Sequence, residues 1–299
     1  MTELGPTFKI PKTTGTHADV FLAVGLADLL SSAVDDGPVT IHEDETYFIV
    51  NLPRPLFEKD ISRFPQDPGY PFLQANKNVS VPAGAVDPVD YKVEKAKADR
   101  IKKIRDAVSK GKQRTLDSDT QQLIQEEQQR GDWRLLQVLN TLQGDETSNR
   151  VHRAIVGESP KEFRQNIALA LKSLSGQGSH ILKWEVSLVQ LFTPLAAKGY
   201  SRLKPDSTGR NDKTKEQWAD PFSEWLKYRG YFRVACPFFQ GSKAEDVRVL
   251  CPIPGHISIR ALSSLGRELP KFGIYGSAPK MDSLAVLRLA ELLITRSEE

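Results

Sequence analysis

The chain has 299 residues, 39% hydrophobic and 26% charged, which is enough apolar matter for a buried core and excludes global disorder. The net charge of +3 is too small to imply a polyanionic partner by itself, so the placement of the 41 Lys and Arg against 38 Asp and Glu carries the information. No run approaches the roughly 18 apolar residues of a membrane span, and the amino terminus lacks the apolar centre of a secretory signal. A soluble cytoplasmic protein is expected. Cys236 and Cys251 lie in no C-x-x-C pair, so neither a disulfide framework nor a structural metal is expected, and no cofactor motif occurs.

Thr16 can cap a helix over about His17 to Ser32, with Asp19 in its first turn and Val20, Phe21, Val24, Ala27, Leu29 and Leu30 supplying apolar faces. Two β-rich runs, Val39 to His42 and Tyr47 to Leu52, predict a hairpin across Glu43-Asp44-Glu45. From Pro53 to Pro88, seven prolines remove backbone donors and disfavour helix, which predicts an extended, irregular excursion pinned down by Phe57, Phe64, Tyr70 and Phe72. Helical segments follow over about Val89 to Gly111, Ser118 to Gly131 and Asp132 to Leu142.

Ser159-Pro160-Lys161-Glu162 combines a capping box with proline at the first helical position, and Phe163, Ile167, Leu171 and Leu174 recur at helical spacing. A further helix is expected over His180 to Lys198, kinked or ended by Pro194. After a basic loop, Ser201 to Lys215, a short aromatic helix over Pro221 to Arg229 is expected to stop at Gly230. Tyr231 to Phe239 and Asp246 to Pro252 alternate like a second hairpin, and helices over Ile257 to Leu269 and Ser283 to Thr295 close the sequence. The last is apolar around most of its circumference, so it needs either a central position or cover from a further segment or partner. The expected class is α+β, mostly helical, with two short β-hairpins and a Pro-rich excursion. Length allows two domains, divided here into 1–150 and 151–299.

Recognisable catalysis is absent from the sequence. Gly111-Lys112-Gln113 fails the phosphate-loop pattern on both sides, the glycine-rich, zinc-protease and hydrolase-elbow signatures do not occur, and the five histidines are scattered singly. The informative stretch is Lys92 to Arg114, with ten Lys and Arg against Glu94, Asp99 and Asp106, a local balance of +7. Phosphate backbones are bound by such arrays because each neutralised phosphate releases counterions. The candidate backbone contacts are Lys97, Arg100, Lys102, Lys103, Arg105, Lys110, Lys112 and Arg114, with a second set, Arg202, Lys204, Arg210 and Lys213, in the later basic loop. The plain alternative is a solvated helix and a surface loop. Within the excursion, Gln74, Asn76, Lys77 and Asn78 offer amides that can read base edges and a cation that can hold phosphate; a packed loop would use the same residues structurally.

Two blocks carry a resemblance. Thr16-His17-Ala18-Asp19-Val20-Phe21-Leu22-Ala23-Val24-Gly25-Leu26-Ala27-Asp28-Leu29-Leu30 with the hairpin ending Tyr47-Phe48-Ile49-Val50, and Glu224-Trp225-Leu226-Lys227-Tyr228-Arg229-Gly230-Tyr231-Phe232 through the following hairpin to Pro252, resemble large subunits of type I CRISPR Cascade effectors. Together they cover about a quarter of the chain. The resemblance implies a non-enzymatic subunit of an RNA-guided DNA-surveillance complex. Its partners would be guide RNA, target double-stranded DNA, the Cascade backbone subunits and a small helical subunit. It also implies contact with the short motif flanking the target, for which the amides and cation of Gln74, Asn76, Lys77 and Asn78 are the candidate readers. Such subunits are usually longer and end in a helical bundle, which is expected to be absent, separate or outside this sequence. Two other readings stay open: a protein-only scaffold, and an enzyme built on His17 and Asp19.

Overall fold

The computed structural model describes residues 3–109, 118–119, 121–122, 132–141, 145–175, 186–187, 191–192, 218–239, 247–271 and 278–297. A strand not anticipated from the sequence comes first: β1, Glu3–Pro11, which buries Leu4, Phe8 and Ile10. The Thr16 hydroxyl accepts the Ala18 N–H at 3.2 Å and starts α1, His17–Ser31, buried along most of its circumference. β2, Thr40–Glu43, and β3, Tyr47–Phe57, form the expected hairpin.

β3 continues past Leu52 into the segment expected to be irregular, because β1 pairs along its other side. Register shifts on either side of Gly5 leave Pro53 and Pro55 where no ladder donor is needed. A 3-10 turn, Glu58–Arg63, follows. The irregular part of the excursion therefore begins at Phe64. It returns on itself through β4, Leu73–Gln74, paired parallel with β5, Val89–Asp90.

Next come α2, Tyr91–Ser109, and α3, Trp133–Thr141. Residues 118–119 and 121–122 are helical, and the rest of the helix expected to Gly131 lies outside the described residues. α4, Asp145–Gly157, was not expected, because Ser148, Asn149 and His152 on its buried face hide the apolar period. α5, Pro160–Leu174, has the predicted capping box: the Ser159 hydroxyl accepts the Glu162 N–H at 3.3 Å, and the Glu162 carboxylate accepts the Ser159 N–H at 3.2 Å.

Inside the helix expected over 180–198, Val186–Ser187 is instead a strand, β6, paired antiparallel with β7, Trp218–Ala219. Leu191 and Phe192 form a buried turn, with the Phe192 ring 4.8 Å from Tyr228 and 6.1 Å from Phe21. Their apolar character serves packing on two helices, and the rest of the helix expected over 180–198 lies outside the described residues. α6, Pro221–Val234, runs through Gly230 where a stop was expected. Tyr228, Tyr231 and Val234 are all buried at a three-residue spacing, so residues read as the start of a strand finish the helix. The second hairpin is correspondingly shorter, β8 Cys236–Phe239 with β9 Val247–Leu250. β10, His256–Ser258, α7, Ile259–Glu268, and α8, Ala278–Ser297, complete an α+β fold.

The main sheet has the order β1-β3-β2-β10, all antiparallel, and α1 packs between it and α6. Gly25 and Gly230 explain the α1–α6 crossing. A Cβ on Gly25 would fall 1.9 Å from the Leu226 carbonyl oxygen, and one on Gly230 would fall 1.9 Å from that of Phe21. Each glycine thus receives a carbonyl from the helix opposite, and the two backbones touch. Asp28 fixes the same pair of helices electrostatically, meeting Arg229 at 2.5 Å and Arg233 at 2.8 Å. The principal core runs from Leu4 to Leu262 and draws on both sides of residue 150. Cys236, Phe238, Leu269, Met281 and Ala285 form a smaller cluster under α8, whose opposite face exposes Val286, Leu287, Leu293 and Ile294. Among the described residues α8 is therefore covered on one side only. Among the described residues no helix is long and apolar enough to cross a membrane.

Candidate nucleic-acid interface

α2 starts where Asp90 accepts the N–H groups of Lys92 and Val93 at 2.9 and 3.2 Å. One side of it is anchored. Ile101 is buried, Ala98 packs against the cluster of Leu73, Val89, Trp133 and Leu136, and the Tyr91 ring lies 5.3 Å from Trp133. Burial pushes the Tyr91 hydroxyl above its ordinary range. With that side held, helical geometry turns Lys92, Lys95, Arg100, Lys102 and Lys103 outward, and all five are exposed. Among the described side chains of that face, Asp99 is the only carboxylate. Lys97 lies on the flank, paired with Glu94 at 3.0 Å. Its charge is partly offset there.

The amide-rich turn emerges beside the base of this helix. β4–β5 pairing sets Gln74 opposite Asp90, the residue that caps α2, so the turn after Gln74 and the start of the basic helix are neighbours. The turn is built from its own side chains. Gln74 donates to the Val79 carbonyl at 2.9 Å, and the Asn76 side-chain oxygen accepts the Asn78 N–H at 2.9 Å. α4 holds it from behind: Asn149 donates to the Leu73 carbonyl at 2.7 Å and accepts its N–H at 3.0 Å, while Arg153 donates to the Ser80 carbonyl at 3.0 Å and lies over the Phe72 ring. Gln74 is half-buried and serves the loop; Asn76, Lys77 and Asn78 are exposed.

The backbone of Arg105 belongs to α2, while Lys110, Lys112, Arg114, Arg202, Lys204, Arg210 and Lys213 lie outside the described residues. Asn149 and Arg153, which fix the turn, were not singled out in the sequence. A buried Asn and an Arg over an aromatic ring leave no sequence motif.

Comparison with protein-family models finds no match. Comparisons with curated proteins and with solved structures find none either.

Elsewhere, several polar groups are engaged in structure. His17 meets the Leu191 carbonyl at 2.8 Å, and Asp19 accepts the N–H groups of Thr14 and Gly15 at 3.1 and 2.8 Å, so both residues hold the approach to α1. A cleft of about 370 Å³ is lined by Arg54, Phe57, Lys59, Asp60 and Arg63. There Arg54 grips Asp60 through two nitrogens at 2.8 and 3.1 Å and meets Asp36 at 2.5 Å. Arg54 in turn holds the Asp60 carboxyl below its usual range. Burial pushes the Cys236 thiol up to about 12, away from thiolate chemistry at neutral pH. Among the described residues no three His, Cys, Asp or Glu side chains converge as metal ligands.

Proposed function

We propose that this chain is a non-enzymatic nucleic-acid-binding subunit of an RNA-guided DNA-surveillance complex of the type I CRISPR Cascade class. In this reading the outer face of α2 holds the phosphate backbone of duplex DNA beside the target, and the Asn76–Asn78 turn meets the flanking motif. One observation carries it: a helix face whose described side chains include five exposed Lys and Arg and one carboxylate begins beside an exposed turn bearing two amides and Lys77. Cations on a rigid helix supply affinity without sequence preference, and amides on a restrained turn supply preference. Gln74, tied to Val79, acts in this reading as the support of the reader. Guide RNA and the repeated backbone subunits are the expected partners.

The test is duplex binding across a range of salt by the complex assembled with Lys95→Glu, Lys102→Glu and Lys103→Glu. Each lost phosphate contact should lower the salt slope by about one unit. Unchanged affinity and slope would remove α2 from the DNA path. Purification from the native host without guide RNA or backbone subunits would remove the Cascade assignment while leaving phosphate binding standing.

A second reading, a protein-only scaffold, is favoured by the uncovered apolar face of α8, where Val286, Leu287 and Ile294 are each more than 60% exposed. Association through that face would resist salt, whereas binding through α2 would not.

A further inference from the structure

The geometry points to a two-imidazole site for a divalent transition metal, zinc or copper(II), formed by His42 and His256 on the outer face of the main sheet. The two residues stand directly opposite each other on the antiparallel strands β2 and β10. The ladder defines the kind of pair. The Glu43 N–H donates to the Gly255 carbonyl and the Ile259 N–H to the Val39 carbonyl, both at 2.9 Å. Hydrogen-bonded pairs alternate with non-hydrogen-bonded ones, so His42 and His256 form a non-hydrogen-bonded pair, the arrangement that brings opposite side chains closest.

Both histidines are exposed, whereas Ile41, next to His42, points into the core. The ring centroids are 5.7 Å apart with planes at 67°. Two imidazoles bound to one zinc through bonds of about 2.0–2.1 Å at a tetrahedral angle have centroids about 5.2 Å apart. A small side-chain rotation covers the difference. Since no third His, Cys, Asp or Glu of the described residues converges there, the remaining coordination positions belong to solvent or to a ligand on another molecule. Borderline-soft imidazole selects zinc and copper(II) over magnesium and calcium, with copper(II) the tighter.

Such an ion would also act on the fold. β10 is a three-residue edge strand joining the carboxy-terminal third of the chain to the amino-terminal hairpin. A metal bridging His42 and His256 would cross-link that edge in the folded state alone and raise its stability by mass action. Neither strand order nor exposure depends on the nucleic-acid reading.

The experiment is calorimetric titration of the full, tag-free chain with zinc chloride at neutral pH, with copper(II) electron paramagnetic resonance as the ligand readout. The expected result is one site per chain, a copper(II) signal with imidazole nitrogen coupling, and a melting temperature that rises with zinc. His42→Ala and His256→Ala should each weaken zinc at least tenfold and remove the zinc-dependent rise in melting, and His42→Gln should do the same with hydrogen-bonding capacity kept. Both side chains are exposed, so circular dichroism of the variants should match the parent. Zinc affinity unchanged in both single variants, or no binding by the parent, would overturn the site.

Discussion

The α1–α6 crossing and the α2 surface are built on opposite terms. At the crossing, backbone touches backbone at Gly25 and Gly230, and a largely buried Asp28–Arg229 pair closes the contact. On α2, one edge carries Ile101 and Ala98 into a small cluster, and the opposite face projects Lys92, Lys95, Arg100, Lys102 and Lys103 into water. Residues of the first region are constrained by the fold, and those of the second leave the fold almost untouched. A protein that must recruit a partner has reason to place its partner-facing residues in the second kind of region.

The sharpest break of that comparison is at the crossing. Gly230→Ala places a methyl group on the Phe21 carbonyl and Gly25→Ala places one on the Leu226 carbonyl, where no rotamer can relieve the overlap. Either change should cost about 5 kcal/mol or more, or prevent folding, as read from the denaturant midpoint. A loss below about 1 kcal/mol would mean that the helices can separate without penalty.

Asp28→Ala is the next step down. It leaves the nearly buried Arg229 guanidinium with the Asp67 carbonyl at 3.1 Å and no counter-charge among the described residues, which should cost about 3–5 kcal/mol. Asp28→Leu combined with Arg229→Met should recover much of that loss, because it removes the buried charge along with the partner. A double-mutant cycle measures the coupling.

His152 gives a smaller, pH-dependent effect. Its ring lies between Tyr70 and Phe72, at 5.8 and 5.3 Å, and among the described residues neither ring nitrogen has a hydrogen-bond partner. Burial lowers its pKa to about 4 from an ordinary 6.5. The unfolded chain then takes up a proton that the folded chain refuses. The stability associated with neutral His152 is present above about pH 6.5 and is lost as pH falls toward 4, by at most about 3 kcal/mol. Urea titrations of the parent and His152→Leu across that window should differ in slope, with the variant flatter; parallel curves would assign the acid sensitivity to other groups.

What could be read from the sequence follows the same division. α1 and α5 were legible from their caps, Thr16 and Ser159, because capping is a local interaction between residues three apart or fewer. The basic face of α2 was legible because charge density needs no knowledge of tertiary structure. β1 was not, since Glu3–Pro11 becomes a strand only by pairing with β3. Gly230 misled for a related reason: a glycine that admits a neighbouring helix looks, in sequence, like one that ends its own. In the candidate site, the exposed Asn76–Asn78 turn was readable, but its dependence on Asn149 and Arg153 arises from contacts far apart in sequence.

The smallest expected effect is on α2 itself. Lys95→Ala, Lys102→Ala and Lys103→Ala combined should change unfolding free energy by no more than about 0.5 kcal/mol, with the denaturant slope unchanged. All three are exposed, alanine has the higher helix propensity, and removing like charges from one face relieves repulsion, while the Lys97–Glu94 ion pair is left in place. Small stability effects keep the proposed function testable, because any loss of nucleic-acid binding in the triple variant can then be ascribed to the missing cations and not to unfolding. A loss above about 1 kcal/mol would mean that the outer face of α2 is covered within the chain, and the contrast between crossing and ridge would fail at its weaker end.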